Sequence, residues 1–297
     1  MADHLELTGR EPARALRRDL RTFFDRVRWD HGDMEISALS VGDDPSTATY
    51  MRSIERTFGR YQIPVQAHNY PAGTDAAEFY HDLGELQSDP SQHGVIILKP
   101  LPESFTVDFS GPRTLPYVAA VQSHLDLECI SPRRIMDLAL GYSELAPPTA
   151  GAILRMLDHN QIPISGRRVV VIGRSGNVGR PAGWLLLQRN ATLTYCHSKT
   201  TPEQLRQVTR SADILVSATG NPGMITADLV RPGAVVLDAG FSFVGSEVRG
   251  DVDFAEVSKV ASAITPVPGG IGPLTNELLV HNLATLVSER YGLQTQG

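Results

Sequence analysis

Cysteine is nearly absent from this chain. Cys129 and Cys196 are the two among 297 residues, too few for a disulfide framework and in keeping with a reducing compartment. Aromatic residues make up only 6%. No stretch approaches the ~20 consecutive apolar residues that span a bilayer, and the opening MADHLELTGREPARALRRDL has no apolar run suited to a signal peptide. The protein is therefore expected in the cytoplasm, with no membrane partner. An excess of basic charge is missing as well. The 27 Lys and Arg face 33 Asp and Glu, a formal net charge of −6, which argues against a nucleic-acid partner. Internal repeats and low-complexity tracts are also lacking. What is present is an ordinary globular composition, 41% hydrophobic and 20% charged, in a chain long enough for two lobes.

Strand-like and helix-like segments alternate throughout, the pattern of an α/β protein built on parallel sheet. Ala13, Leu16, Leu20, Phe23 and Val27 recur at helical spacing, with Pro12 in the first turn. Residues 36–41 read as a strand, and the loop GDDPS (42–46) that follows ends in Ser46 as the expected helix cap. Tyr50, Ile54 and Phe58 then share one helix face, and residues 94–98 form a strand stopped by KPLP (99–102). A second series begins near residue 150, with a helix over 152–159, a buried strand over 169–172 and a helix over 181–189. Strands over 191–196, 213–220 and 234–240 complete a βαβ-rich unit of Rossmann size. The tail, 276–290, reads as an apolar helix that returns to the first lobe.

GRSGNVGRP (173–181) follows the apolar run Val169-Val170-Val171-Ile172 and precedes a helix, the setting of a dinucleotide loop. Glycine lets backbone amides approach a phosphate closely, and a helix N-terminus adds partial positive charge. The plainer alternative is a tight strand-to-helix connection. Another absence bears on the choice. Folds that prefer NAD place Asp or Glu about 20 residues on, at the end of the next strand. Here that end reads Cys196-His197-Ser198-Lys199-Thr200, without an acid. A carboxylate would repel a 2′-phosphate, whereas Arg174 and Ser198 can bind one. The loop points to NADP. His197 and Lys199 either add to the positive field or lie solvated at the surface.

VVVIGRSGNVGRP (169–181), TYCHSKT (194–200) and PVPGGIGPLT (266–275) closely resemble signatures of the bifunctional methylenetetrahydrofolate dehydrogenase/methenyltetrahydrofolate cyclohydrolase family. VGDDPSTATYMRS (41–53), SATGNPGMI (217–225), AVVLDAGF (234–241) and GDVDF (250–254) extend the resemblance over most of the chain. It implies a two-lobed α/β protein, usually a homodimer and without a metal, with a cleft between the lobes. A Rossmann-like NADP-binding domain would occupy 149–275, and a folate-binding, catalytic domain 1–148 plus 276–297. The implied reaction oxidises 5,10-methylenetetrahydrofolate with NADP, after which the methenyl product is hydrolysed to 10-formyltetrahydrofolate. Carried over position by position, the resemblance assigns cofactor contacts to Gly173, Arg174, Ser175, Val178, Gly179, His197, Ser198, Thr219, Gly220, Gly240, Gly272 and Thr275. It assigns folate contacts to Tyr50, Leu98, Asp126, Glu128, Pro268, Gly269 and Gly270. Tyr50 would stack on or border the pterin or its aromatic spacer. The proline–glycine run would bring bare backbone against a flat ligand, unless it is simply a turn.

One family feature is missing. Members usually carry a lysine four residues after the tyrosine, and TYMRSIER (49–56) places Ile54 there. A helix turn brings i and i+4 together, so Ile54 is expected to face the same pocket with no proton to exchange. Acid–base catalysis contributes about 10²–10⁴-fold. In GVIILKPLP (94–102), Leu98 stands where the family shows glutamine, so the lysine's polar partner is lost with it and no orphan polar group remains. HLDLECISP (124–132) resembles the family's Asp-Val-Asp-Gly, with Glu128 at the second acid and Cys129 at the glycine. In an extended segment Asp126 and Glu128 point the same way. Either Glu128 holds the pterin's NH groups or the pair is a solvated strand end. Lys99 either swings in as a substitute amine or, because strand neighbours point to opposite faces, stays out. The expected catalytic positions are Tyr50, Glu128, Lys99 and the vacated Ile54. The expected function is an NADP-dependent methylenetetrahydrofolate dehydrogenase with weak or lost cyclohydrolase activity. Two alternatives stand beside it: a specialised paralogue for another one-carbon or imine substrate, and an NADP-binding protein without turnover.

Overall fold

The computed structural model describes residues 4–102, 105–108, 114–116, 120–244 and 247–293, with backbone alone over 106–108 and 114–116. The chain opens with β1 (Leu5–Glu6) and α1 (Arg10–His31). A strand–helix alternation follows, β2 (Glu35–Val41), α2 (Pro45–Gly59), β3 (Val65–Tyr70), α3 (Ala76–Ser88) and β4 (Gln92–Ile97). The antiparallel pair β5 (Thr106–Asp108) and β6 (Thr114–Pro116) precedes α4 (Pro132–Ala139) and α5 (Pro148–His159). Next come β7 (Arg168–Ile172), α6 (Gly179–Gln188), β8 (Thr192–Cys196), α7 (Pro202–Thr209), β9 (Ile214–Ser217) and β10 (Val235–Asp238). The hairpin β11 (Ser242–Val244) and β12 (Glu247–Arg249), α8 (Phe254–Val257), β13 (Ala263–Ile264) and α9 (Ile271–Tyr291) close the described chain.

Two compact units result, Met1–Leu16 with Asp137–Leu278, and Arg17–Met136 with Leu279–Gly297. The first holds a six-stranded sheet in the order β1-β13-β10-β9-β7-β8, every neighbouring pair parallel. Parallel strands covered on both faces need continuous apolar runs, which Val169–Ile172 supply, each buried. Val170, Ile172, Leu215, Val236 and Ile264 share one core cluster. Strand β8 lies on one side of β7 and β9 on the other, so the winding reverses at β7. Ligands of such sheets bind outside the carboxyl ends at that reversal. β1 pairs with β13, so the N-terminal strand completes this sheet, a difference from the domain limits expected at that end.

The second unit holds the parallel sheet β3-β2-β4. Helix α1, divided between the units after Leu16, buries Ala13, Leu16, Leu20, Phe24 and Val27. Phe24, not the expected Phe23, lies in the core, since the helical period of 3.6 carries the stripe to it. The cap of α2 also differs from expectation. The Asp44 carboxylate accepts the amides of Ser46 at 2.8 Å and Thr47 at 3.1 Å, so Ser46 already lies inside the helix, behind Pro45 at the first position. Helix α9 starts earlier than expected, at Ile271, with Pro273 tolerated in the first turn because no amide is needed there. Its far end belongs to the second unit, where Arg134 forms a bidentate pair with Glu289 at 3.0 and 2.6 Å and Asn282 donates to the Leu127 carbonyl at 2.9 Å.

Candidate functional site

In the six-stranded unit, the expected cofactor residues lie at the carboxyl ends of successive parallel strands. Gly173 to Gly179 follow β7, His197 and Ser198 follow β8, Thr219 and Gly220 follow β9, and Gly240 follows β10. Gly173 has φ +122°, and a Cβ there would stand 2.2 Å from the Ala218 carbonyl oxygen. The tight turn therefore requires glycine. Beyond it, the amides of residues 174–177 donate to no described residue, and nothing lies within 4 Å of where a Gly176 Cβ would stand. An open row of amide donors at a helix N-terminus fits an anion. The Ser175 hydroxyl accepts the amides of Val178 and Gly179, both at 3.3 Å, and so shapes the loop.

Arg174 is exposed and makes no ion pair or hydrogen bond with any described residue. Ser198 is exposed as well, in a turn closed by His197, whose backbone accepts the Thr200 amide at 2.8 Å while its amide donates to the Thr200 hydroxyl at 2.9 Å. The residues present fit an NADP molecule. The loop amides and the α6 N-terminus would hold its pyrophosphate, with Arg174 and Ser198 on the 2′-phosphate. A depression of about 610 Å³ lies between β8 and α7, lined by His197, Lys199 and Thr200 with Gln204 and Gln207. It takes in no residue of β7 or α6 and so lies outside the crevice at the reversal.

A buried acidic network fixes the strand ends. Asp238 accepts the amides of Gly240 at 2.8 Å, Asp251 at 3.1 Å and Val252 at 2.9 Å. Asp251 accepts the Ser217 hydroxyl at 2.9 Å and the Thr219 amide at 2.6 Å. Burial pushes the Asp238 carboxyl up to about 6, against the pull of three amides. Gly240 is thereby buried as a strut of this network and not presented on a surface. Sequence reasoning passed over both acids, although an acid ending the apolar strand VVLD was a signal for them. Gly272 and Thr275 fall within the opening turns of α9, and the Thr275 hydroxyl donates back to the Ile271 carbonyl at 3.3 Å. Gly269, with φ +114°, accepts the Gly9 amide at 2.9 Å, while Pro268 is exposed.

In the three-stranded unit, Tyr50 lies in α2, which follows β2, Lys99 follows β4, and Asp126 and Glu128 lie in a segment that runs alongside β4. Asp126 pairs with Val95 alongside β4, and the Val95 amide donates to Leu125 at 2.7 Å. The expected extended segment is instead a turn, in which the Cys129 amide donates to the Asp126 carbonyl at 3.3 Å. Cys129 has φ +53°, the left-handed region that favours glycine, and its side chain is buried. The Asp126 carboxylate is turned inward and accepts the Ser131 amide at 2.6 Å, so it does not share an outlook with the half-buried Glu128. Burial raises the Glu128 carboxyl to about 7, the Lys99 charge lowers it and Asp126 raises it further. The Tyr50 phenol is raised by burial and then by the Glu128 charge. Ile54 and Leu98, at 1% exposure each, are core residues. The helix face that carries Ile54 and Phe58 packs inward.

A parallel sheet with a winding reversal, and an amide-lined loop bearing an unpaired arginine at its carboxyl edge, define a dinucleotide-binding α/β protein. Residues 147–291 match the profile of the tetrahydrofolate dehydrogenase/cyclohydrolase NAD(P)-binding domain, and residues 7–109 that of the catalytic domain. The chain belongs to the tetrahydrofolate dehydrogenase/cyclohydrolase family. The bifunctional protein FolD of Chloroflexus aurantiacus is 42% identical over 277 residues, covering 93% of this chain and 92% of its own. FolD of Exiguobacterium sibiricum is 37% identical over 276 residues, covering 93% and 96%. The crystal structure of the FolD methylenetetrahydrofolate dehydrogenase/cyclohydrolase from Campylobacter jejuni superposes with a TM-score of 0.89 at 29% identity, covering 97% of this chain and all of that one. The Trypanosoma brucei dehydrogenase–cyclohydrolase, solved with NADP and an inhibitor, gives 0.89 at 28% identity, covering 98% and 99%.

Proposed function

We propose that this protein is an NADP-dependent dehydrogenase that oxidises 5,10-methylenetetrahydrofolate to the methenyl form, with its cyclohydrolase activity weak or lost. The observation that carries the cofactor is Arg174 in the loop after β7, which pairs with no described residue, together with a β8 end without an acid. The family relationship supplies the folate. NADP, when bound, accepts the hydride released from the one-carbon bridge. The chain's own part is to hold both partners in place, a task that contributes a large share of such rate enhancements. Glu128 would accept from the pterin NH groups, and Tyr50 would border the ring. Hydrolysis needs a group that exchanges protons with water, and positions 54 and 98 supply only buried hydrocarbon. Nucleotide binding falls to 149–275. Folate handling falls to 1–148 with 276–297, less the strand β1. The same reading makes the protein a cytoplasmic homodimer. Its two buried free thiols support the compartment, and the outer edge of β8 with the exposed Phe241–Phe243 pair supports the assembly.

Incubating the purified protein with methylenetetrahydrofolate and NADP tests the proposal. NADPH and methenyltetrahydrofolate should rise together, and the methenyl absorbance should then decay no faster than without protein. Absence of both products contradicts the dehydrogenase assignment.

A further inference from the structure

The segment that follows β13 makes the proline–glycine turn, and the N-terminal strand runs beside it. The Leu5 amide donates to the Ser262 carbonyl at 2.9 Å and the Leu7 amide to that of Ile264 at 2.8 Å, with Leu7 fully buried. The same parallel course brings Gly9 onto the turn, where its amide donates to the Gly269 carbonyl at 2.9 Å. At the start of the turn, the Thr265 hydroxyl accepts the Asp238 amide at 2.7 Å, and the Gly270 amide closes on the Pro266 carbonyl at 2.8 Å. Among the described residues, Gly9 is the one donor outside the turn and α9 that reaches the backbone of 266–270. The approach leaves no room for a side chain. A Cβ on Gly9 would stand 2.0 Å from the Gly270 carbonyl oxygen and 3.2 Å from its carbon, and both atoms belong to backbone.

We propose that Gly9 is a positioning residue for the dehydrogenase reaction, its amide and its lack of a side chain setting the 266–270 turn against which the folate ring lies. This rests on the folate reading above. Helix capping alone does not account for glycine here. Gly9 stands at the N-cap of α1, its carbonyl accepting the Ala13 amide at 3.1 Å, and Ser, Asn or Asp serve a helix better at that position. Nor does Gly9 adopt the left-handed backbone that favours glycine. What remains is the close approach of two backbones. Pro268 is exposed and Gly269 half-buried, so the turn offers its Pro268 tip while Gly9 holds the residue behind it. Placement of such a surface matters steeply, since a displacement of about 1 Å costs up to about 10²-fold in rate.

Full-length Gly9→Ala and Gly9→Ser variants test this, assayed below their unfolding transitions. Both should lose about 10- to 100-fold in kcat/KM for methylenetetrahydrofolate, with NADP affinity by calorimetry within about threefold of the parent. Parental kcat/KM in Gly9→Ser overturns the proposal, because the residue would then serve helix capping only. A loss of thermal stability in both variants without loss of kcat/KM overturns it as well. If neither variant folds, amide exchange in the parent decides. The Gly9 amide should exchange at least about fivefold more slowly once tetrahydrofolate is bound, since the ligand favours the bonded turn, and an unchanged rate overturns the proposal. If the parent binds and oxidises no folate, the folate reading fails, while displacement of the Gly269–Gly270 backbone in a crystal structure of Gly9→Ala still decides whether residue 9 sets the turn.

Discussion

At Glu128, burial lifts the carboxyl from its ordinary 4.5 to about 7, even with Lys99 pulling the other way. Between those values the folded protein holds a proton that the unfolded chain releases. The folded state therefore binds more protons, and stability falls as pH rises through that window. Glu128→Gln removes the loss. Denaturant unfolding should show the variant more stable at pH 8 by about 1–3 kcal/mol, a range discounted for partial solvent access, with no gain below pH 4.5. Equal stabilities at pH 8 would contradict the raised carboxyl. The sequence did mark Glu128, Tyr50 and Lys99, because acids and amines in a resemblance-bearing segment are visible as letters. It did not show that Asp126 turns inward, since that depends on the Ser131 amide and on the left-handed backbone at Cys129. Nor could helical spacing tell whether the Ile54 face meets water or core. Full burial of such a side chain contributes about 1.5–3 kcal/mol, and Ile54 is buried in that way.

Strands β9 and β10 and the segment after β12 are tied together by Asp238 and Asp251. Both Asp238 oxygens accept backbone amides, so an amide side chain there must turn its NH₂ toward at least one donor. Asp238→Asn should cost about 2–4 kcal/mol in thermal or chemical unfolding. It should also weaken NADP binding, because Gly240 loses its anchor and the Asp251 backbone, whose carboxylate holds the Thr219 amide, loses a tie of its own. An unchanged unfolding midpoint would show that the network bears little on stability. Most helices and strands were legible from periodicity and from β-branched runs, as with Val169–Ile172. The acidic ties were not, because all but the Asp238–Gly240 bond join partners 13 to 34 residues apart and no local pattern links them. The cap of α2 was misread by two residues for a related reason, since Asp44 and Ser46 are both good caps and the backbone decides between them.

At the scale of the molecule, alternating elements made the α/β class and the nucleotide-binding unit readable. Strand order was not, because a two-residue strand such as β1 has no pattern of its own and exists through its pairing with β13. Among the described residues no helix is long and apolar enough to cross a membrane. The central claim is that the loop after β7 selects NADP through Arg174. Titration calorimetry of the purified protein with NADP and with NAD measures it most directly. NADP should bind at least about tenfold more tightly, and Arg174→Ala should lose about 10- to 100-fold of NADP affinity while leaving NAD affinity within about threefold. Equal affinities for the two nucleotides, or a tighter grip on NAD, would contradict the account.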